Sequence, residues 1–465
     1  MRLELSDARV FDREVPLSLF EPGFQARLPV RGGPWVAANS VGAAHHWHGP
    51  FVANEQVWVG QRFGIDMDLI DFDGNLYPDT GVPPALEDFY AWGQPVCAIA
   101  PGRVAAVETH HADQPLGEYD RQNPTGNVVV IEHAPGIYGW YAHVMEGSVA
   151  VEPGDEIAAG AVIGRVGNSG ITDFPHLHVH LSDRPELYVA QGLSLTFTGG
   201  RMLVLNDQAD DIVDVLPLEN GALPNDALFI APGAIAEGGV VHAASSRTGP
   251  LAPGQIFSIN GEGLGPANGA IGQFNRNGSL DREAGGVVVL VNGMPAPVFF
   301  ASGGQINAQA PYSLQQESQA RVSVSYFGES SNEVVTSVAA TAPGLFEYPG
   351  EEGHVLAVHA DGSLNAPGHP ARAGDIVVLY ATGEGITTPP VADGAPAADP
   401  YPRPAAPVTL LIDGQPADLL YAGSAPGLVG LMQINARVPG GASGDVPVSL
   451  AAGTRVSKTA TLPVD

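Results

Sequence analysis

The chain has 465 residues, and one hydrophobic core rarely serves a chain of that length, so about two to four domains are expected. Its 59 glycines and 41 prolines, with 15% charged residues and no sustained helical period, predict an all-β protein of many short strands. A formal charge of −30 with only 20 lysines and arginines argues against nucleic acid and anionic membranes as partners.

The apolar segments of the sequence are all short. No apolar run reaches the roughly 18 residues of a transmembrane helix, so none is expected. Residues 1–7 lack the apolar stretch of a signal peptide, which leaves a cytosolic protein or an incomplete N-terminus as alternatives.

Residues 1–57 are interpreted as a strand-rich lead-in, with extended segments at 15–20 and 25–30. The remnant of a further domain is the alternative interpretation of this segment. Three histidines, His45, His46 and His48, lie close together near its end. Such density is typical of metal sites, and a polar loop beside a cleft is the alternative.

Residues 58–190 predict one strand after another, separated by turn-rich segments. The predicted strands are 63–69, 95–100, 102–107, 127–133, 139–143 and 177–181. This succession predicts a single β domain for the region.

The last of these strands has the most informative pattern, because His176, His178 and His180 alternate with Leu177 and Val179. Successive side chains on an extended strand point to opposite faces. The three imidazoles should therefore share one face while the two aliphatic side chains enter the core. A strand presents imidazoles to a metal in this way.

Four segments of this region carry a resemblance to a known family. They are Arg-Phe-Gly-Ile-Asp at 62–66, Trp-Tyr-Ala-His at 140–143, the turns and strand of 151–170, and Pro-His-Leu-His at 175–178. Together with Gly-Gln-Pro-Val-Cys-Ala at 93–98, they resemble the LytM and lysostaphin-type zinc endopeptidases, which cleave peptide bonds in bacterial cell-wall peptidoglycan.

The resemblance implies a role for each motif residue. Asp66 and His178 stand at the family's zinc-ligand positions, and His143 and His176 at those of its two catalytic histidines. His180 stands where the family often has a carboxylate, which implies support of a ligand rather than ligation. A Zn²⁺ ion held there would acidify water and polarise the scissile carbonyl, and the histidines would move protons.

One position departs from the family's His-x-x-x-Asp motif, because Arg62 replaces the first histidine. A guanidinium stays protonated and cannot bind zinc. His46 is a candidate replacement as third ligand, together with its neighbours. Alternatively, Arg62 pairs with Asp66 and leaves a metal-free relative of the enzymes.

The C-terminal half contains an internal repeat of two units, 238–348 and 349–465, preceded by an extension or linker at 191–237. Val-Asn-Gly-Met-Pro-Ala at 291–296 matches Ile-Asp-Gly-Gln-Pro-Ala at 412–417, with Asn-Gly and Asp-Gly as hairpin signals. Gln-Ile-Asn-Ala at 305–308 recurs at 433–436. Each unit predicts a β-sandwich.

These units resemble the immunoglobulin-like repeat found at the C-terminus of large secreted proteins of soil bacteria, a resemblance that implies export. The predicted function is a secreted zinc metalloendopeptidase acting on peptidoglycan cross-links or other peptides. The alternative, favoured by Arg62, is a non-catalytic LytM-like protein that binds the cell wall or regulates a hydrolase.

Structural rather than catalytic or binding roles are predicted for several other conspicuous residues. His133 is predicted to be structural and Cys97 to be a small buried hydrophobe. The calcium-like segment 71–74 is predicted to be a surface hairpin, since it lacks the carboxylate ligands of a calcium loop. The glycine-rich segment 261–266 is predicted to be a turn, since it lacks the lysine of a phosphate loop.

Overall fold

The computed structural model describes residues 2–4, 10–12, 23–40, 51–53, 56–206, 212–348, 350 and 353–465. These residues form strands and three short 3-10 helices, Leu86–Asp88, Leu187–Val189 and Tyr312–Gln316, without an α-helix among them. The predicted all-β class is confirmed for this part of the chain. Within it, no helix has the length and hydropathy of a membrane span.

Strands are numbered in chain order. The strands before the repeats are β1 (Arg2–Glu4), β2 (Val10–Asp12), β3 (Phe24–Arg27), β4 (Gly32–Ala38), β5 (Phe51–Ala53), β6 (Gln56–Trp58), β7 (Ile65–Leu69), β8 (Pro95–Cys97), β9 (Gly102–Glu108), β10 (Asn127–Ala134), β11 (Ile137–Val144), β12 (Glu156–Ile157), β13 (Val162–Arg165), β14 (Leu177–Ser182), β15 (Gly192–Leu193), β16 (Leu195–Thr198), β17 (Arg201–Leu205), β18 (Ile212–Pro217) and β19 (Ala227–Ala231).

The first repeat contains β20 (Ala234–His242), β21 (Ile256–Glu262), β22 (Ala270–Ile271), β23 (Val287–Val291), β24 (Met294–Ala296), β25 (Val298–Ala301), β26 (Gln305–Gln309), β27 (Gln319–Tyr326), β28 (Glu329–Ser330) and β29 (Val334–Ser337). The second contains β30 (Gly344–Leu345), β31 (Ala357–His359), β32 (Ile376–Thr382), β33 (Thr387–Thr388), β34 (Arg403–Pro404), β35 (Val408–Ile412), β36 (Gln415–Pro416), β37 (Asp418–Ser424), β38 (Met432–Arg437), β39 (Gly444–Ala452), β40 (Arg455–Val456) and β41 (Ala460–Val464).

An eleven-stranded sheet dominates the first half, in the order β12-β9-β10-β11-β14-β7-β4-β19-β17-β18, with β15 paired to β14. Strand β4 comes from the predicted lead-in, and β15, β17, β18 and β19 come from the predicted extension at 191–237. Both segments therefore build the same sheet as residues 58–190. Strand β7 lies in its interior, between β14 and β4.

One face of this sheet is buried by large side chains from neighbouring strands, including Trp35, Met67, Tyr141, Leu177 and Val179, all fully buried. Leu177 and Val179 enter the core as the alternation predicts. Burial of each such side chain contributes about 1.5–3 kcal/mol to folding.

His133 is held on the edge of this core. Its Nδ1 lies 3.0 Å from the Pro101 carbonyl oxygen and its Nε2 lies 3.2 Å from the Tyr141 hydroxyl. The same hydroxyl accepts the Ile99 N–H at 2.9 Å. These contacts give His133 the structural place that the sequence predicts, and Cys97 is buried nearby.

Each repeat contains two five-stranded sheets with a shared buried core, and the second repeat has in addition the two-stranded sheet of β33 and β34. The predicted hairpins join β23 to β24 and β35 to β36. Their turn residues Asn292, Gly293, Asp413 and Gly414 all have positive φ, between 50° and 77°, as two-residue hairpin turns require. The immunoglobulin-like class of these units stays a prediction.

A Gly-Glu-Gly sequence, at 261–263 and 383–385, recurs in the two repeats, each time at a contact with the preceding unit. In the first repeat, the Glu262 carboxylate lies 3.2 Å from Arg165 Nη2 and 3.8 Å from Arg31 Nη1. In the second, Gly383 accepts the Ala342 N–H at 2.8 Å. Gly383 has φ of 87°, and a Cβ there would overlap the Ala342 carbonyl. Residues 261 and 262 end β21 and a bend follows at 263–265, so the turn predicted for 261–266 begins only at Gly263.

Glu384, in the second of these sequences, is 3% exposed, and no described group hydrogen-bonds its Oε2. Burial raises the pKa of its carboxyl from 4.5 to about 7. The folded chain therefore keeps a proton that the unfolded chain releases. The free energy of unfolding therefore falls as pH rises from 4.5 to about 7. Above about pH 7 this loss of stability, caused by the buried Glu384 carboxyl, is complete.

We expect Glu384→Gln to remove this penalty, of order 3 kcal/mol, because the amide stays neutral. The variant should exceed the wild type in free energy of unfolding at pH 8 and differ much less at pH 5. Urea unfolding of both proteins at the two pH values measures the difference. An unchanged difference between the two pH values would contradict the assignment.

Candidate active site

Asp66 and His178 face each other across β7 and β14, where they form a register pair. His178 Nδ1 lies 2.7 Å from Asp66 Oδ1, and both residues are buried. Because a carboxylate only accepts, the Nδ1 of His178 carries the proton in this arrangement. The other carboxylate oxygen, Oδ2, accepts a hydrogen bond of 2.8 Å from Asn39 Nδ2, just beyond β4. The Asp66 carboxylate is therefore oriented by residues from both neighbouring strands.

His180 contacts His178 on the same face of β14. His178 Nε2 and His180 Nδ1 are 3.0 Å apart. The His180 ring, 1% exposed, stacks on Trp140 with centroids 5.5 Å apart and planes at 13°. This packing fixes the ring that supports His178.

His143 lies near the Asp66–His178 pair, in the last two residues of β11. Its backbone is left-handed, with φ of 61°. Such a conformation costs a residue with a side chain about 1–3 kcal/mol and persists only where the surroundings enforce it. His143 Nδ1 lies 2.8 Å from the Ser169 carbonyl oxygen, so Nδ1 carries the proton and Nε2 is an acceptor. Burial, with a smaller effect from His176 and His178, lowers the pKa of His143 to about 3. The ring is neutral at physiological pH.

The turn that bears Ser169 is fixed by a dense set of contacts. Ser169 Oγ donates to the Val144 carbonyl oxygen at 2.8 Å and accepts the Asn127 N–H at 2.9 Å. Gly126 packs directly on Ser169, with φ of 58°, and leaves no space for a Cβ. The carbonyl that holds His143 is thereby immobilised.

His176 approaches Asp66 from the other side. Its Nδ1 lies 2.9 Å from the Phe174 carbonyl oxygen and 3.0 Å from Thr172 Oγ1, so Nδ1 carries the proton. Its Nε2 lies 3.7 Å from Asp66 Oδ1. The rings of His143 and His176 are 4.9 Å apart. Both imidazoles thus carry their proton on Nδ1, which leaves each Nε2 as an acceptor.

These residues line one cleft of about 560 Å³. Aromatic and aliphatic side chains form much of its wall, namely Phe51, Trp58, Ile171, Phe174, Leu187 and Tyr188. Asp66, Asp68 and Asp173 also line it, and Asp173 Oδ1 accepts a 2.6 Å hydrogen bond from the Tyr119 hydroxyl. The cleft combines apolar walls with an acidic, histidine-rich floor.

Asp68 lies two residues after Asp66 and faces the same cleft. Burial raises the pKa of its carboxyl to about 6; His176 opposes this shift and the Asp66 charge adds to it. Asp68 is therefore a second carboxylate at the floor.

Arg62, at the position where the family has its first histidine, contacts Gly192 and Phe63. Its Nη2 lies 3.4 Å from the Gly192 carbonyl oxygen, and its guanidinium carbon lies 4.5 Å from the centre of the Phe63 ring. Burial lowers the pKa of Arg62. The predicted alternative of an Arg62–Asp66 pair stays a prediction.

The described side chains do not complete a metal site on their own. No group of three or more potential ligands is arranged around a common point in the described ranges. Asp66 and His178 have the donor chemistry of zinc ligands, but their 2.7 Å separation is shorter than the about 3.3 Å between two ligands of one tetrahedral zinc. The predicted third ligand, His46, lies outside the described residues, as do His45 and His48.

Residues 87–188 match the description "Peptidase family M23". This part of the chain is a peptidase family M23 domain. The match contains His143, His176 and His178, so the resemblance to LytM and lysostaphin-type enzymes is confirmed at the level of the family. Asp66 and Arg62 precede its first residue.

Solved structures of M23 proteins are similar to this chain. A mutant catalytic domain of the prophage-encoded M23 protein EnpA from Enterococcus faecalis is 22% identical, with 35% of this chain and 91% of that one covered and a TM-score of 0.21. The catalytic domain of lysostaphin from Staphylococcus simulans is 22% identical over 31% and 83%, with a TM-score of 0.19.

A zinc-containing peptidase from Vibrio cholerae is 18% identical over 30% of this chain and 49% of its own, with a TM-score of 0.17. No curated protein matches the chain.

Around the M23 motif, the sequence alone missed several residues that shape the cleft. Asn39 and Ser169 hold Asp66 and His143, Thr172 contacts His176, and Asp68 adds a carboxylate. Only Asp68 had a local signal, since alternation places it on the face of Asp66. The calcium-like segment is a turn, in which Asp71 Oδ1 accepts two backbone N–H groups.

Proposed function

We propose that this protein is a zinc metalloendopeptidase that hydrolyses peptide bonds, with peptidoglycan cross-links as its substrate. The observation that supports this most is the convergence of Asp66, His143, His176 and His178 on one cleft. Asp66 and His178 are hydrogen-bonded there, His176 Nε2 is 3.7 Å from Asp66 Oδ1, and the His143 and His176 rings are 4.9 Å apart. These are the residues that the M23 resemblance implies.

Asp66 and His178 would hold the zinc, with His46 as the third ligand. When bound, zinc supplies Lewis acidity, which polarises the scissile carbonyl and lowers the pKa of water toward 7. His178 Nδ1 must lose its proton to ligate. His180 Nδ1, 3.0 Å from His178 Nε2, can then accept the hydrogen bond of the opposite tautomer. His180 therefore supports the ligand.

His143 and His176 would transfer the protons of hydrolysis. In each ring, the Nδ1 proton is hydrogen-bonded to a carbonyl oxygen and Nε2 carries no proton. Either Nε2 can therefore take the proton of the attacking water. The protonated ring then returns it to the leaving amine nitrogen. Because the rings lie 4.9 Å apart, the two rings are not both charged at once.

Metal analysis and hydrolysis together test the proposal. The purified chain should contain about one zinc, release amino groups from isolated bacterial cell walls, lose this activity with a chelator and regain it with zinc. A protein that takes up no zinc and leaves cell walls intact would contradict it.

The third ligand has its own test. Loss of a residue that supports a metal ligand weakens metal binding by about 10- to 100-fold. We expect His46→Ala, which removes a ligand itself, to weaken zinc binding by more than that. Adding Arg62→His to that variant should restore binding, because it restores the family motif. His110→Ala, on an exposed residue outside the cleft lining, serves as the matched histidine control. Unchanged zinc affinity in His46→Ala would assign the ligand to another residue.

A second candidate function is supported by Arg62. Its guanidinium faces Gly192 and Phe63 and supplies no ligand, so a cleft that binds cell-wall peptide without cutting it is the alternative. Such a protein would sediment with isolated cell walls, contain no zinc and release no amino groups. The two repeats, through their resemblance to secreted soil-bacterial proteins, support a location outside the cell for either function.

A further inference from the structure

Asp68 is the cleft residue that the proposed chemistry does not use. It lies on the face of β7 that Asp66 occupies. Because Leu177 is opposite Met67 in the strand register, the next pair on the cleft side is His176 and Asp68. The carboxylate therefore lies at the floor of the cleft, beside a proposed catalytic histidine.

The Asp68 side chain is partly buried, and within the part of the chain that the structure describes no hydrogen bond or ion pair engages its carboxylate. The other two cleft carboxylates are engaged: Asp66 by His178 and Asn39, and Asp173 by Tyr119. Partial removal of an anion from water without a hydrogen-bond partner costs free energy, and a bound cation would offset that cost.

The remainder of the cleft suits a cationic peptide. Its described lining contains no lysine or arginine, and three aspartates line it together with Phe51, Trp58, Phe174 and Tyr188. Apolar walls lower the local dielectric constant and strengthen the attraction between a carboxylate and an ammonium group. Aromatic rings also hold the aliphatic part of a long cationic side chain.

We propose that Asp68 determines specificity by binding a free ammonium group of the substrate peptide. This assignment rests on the proposed function for its reaction, but the recognition is separate from catalysis. Two residues along an extended strand span about 7 Å, so the cation lies about that far from the Asp66–His178 pair. The substrate class is thus a peptide with an amine-bearing side chain within about one or two residues of the scissile bond.

Two matched fluorescent peptides test this on the full chain as purified. One is dansyl-Gly-Gly-Lys-Gly-Gly amide and the other has norleucine in place of lysine, which keeps the four-carbon chain and removes the charged ammonium group. Stopped-flow fluorescence gives both dissociation constants, and chromatography of the same mixtures reports any hydrolysis. The wild type should prefer the lysine peptide by about tenfold or more, as a charge-assisted hydrogen bond in a cleft provides.

Asp68→Asn should reduce this preference to near unity while leaving the affinity for the norleucine peptide unchanged, which also shows that the cleft is intact. Asp173→Asn is the matched control and should keep the preference, because that carboxylate already accepts the Tyr119 hydroxyl.

Equal wild-type affinities for the two peptides would overturn the assignment, as would loss of the preference in Asp173→Asn alone. A kept preference without any hydrolysis would contradict the peptidase and leave the role of Asp68 standing.

Discussion

Replacing His178 by alanine is expected to reduce the zinc content from about one per chain to near zero and to abolish hydrolysis. The side chain is one of two described donors at the site, and its Nδ1 contacts Asp66 at 2.7 Å. Removal also leaves Asp66 and His180 buried without this partner, at a cost of about 1–3 kcal/mol each. Elemental analysis and release of amino groups from cell walls measure the two losses.

The control for this variant is His369→Ala, an exposed histidine of the second repeat. It should retain both zinc and hydrolysis. His178→Ala protein that keeps stoichiometric zinc would remove His178 from the ligand set. Denaturant unfolding of the variant separates loss of metal from loss of fold, since β14 is also held by β11 and β7.

His143→Ala and His176→Ala are expected to give the opposite pattern, in which zinc stays bound and turnover falls. Proton transfer by a positioned side chain contributes about 10²- to 10⁴-fold, so kcat should fall by that factor in each variant. The double variant should be little worse than the poorer single one, because groups that act as a unit are not additive.

Zinc content, kcat and KM of the three variants on one peptide substrate test this pattern. KM should change much less than kcat, since both imidazoles act on the proton rather than on the rest of the peptide. Loss of zinc in either single variant would reassign that histidine as a ligand. Fully additive losses in the double variant would show that the two rings act independently.

Local periodicity explains what the sequence could predict. The alternation at residues 176–180 placed Leu177 and Val179 in the core and His176 and His178 toward the cleft. The Asn-Gly and Asp-Gly pairs predicted hairpins, because positive φ at both turn positions selects those residues. These signals need only a few neighbouring residues, and the structure follows them closely.

Strand order and register are not local, and the sequence could not supply them. Asn39 reaches Asp66 only because β4 pairs with β7, and β4 in turn pairs with β19 near the end of the predicted extension. Ser169 reaches His143 through a turn that packs on Gly126. Nothing in the composition of these segments indicates their partners.

The direction of Arg62 was equally inaccessible. The motif spacing left open whether Arg62 pairs with Asp66, and it gave no sign of the contacts that the side chain makes with Gly192 and Phe63. Gly192 follows β14 by a short connection and pairs with Ser182 of that strand. A long side chain selects among such distant partners only after the sheet has formed.

The interior position of β7 limits how the protein can be divided. A fragment cut at the family match, residues 87–188, would lose β7 with Asp66 and also β4, so β14 would become a bare sheet edge. Exposed edges with apolar side chains such as Leu177 and Val179 recruit strands from other molecules. Expressed alone, that fragment should aggregate, and a fragment that runs from β4 to β14 is the smallest piece in which Asp66 keeps strands on both sides.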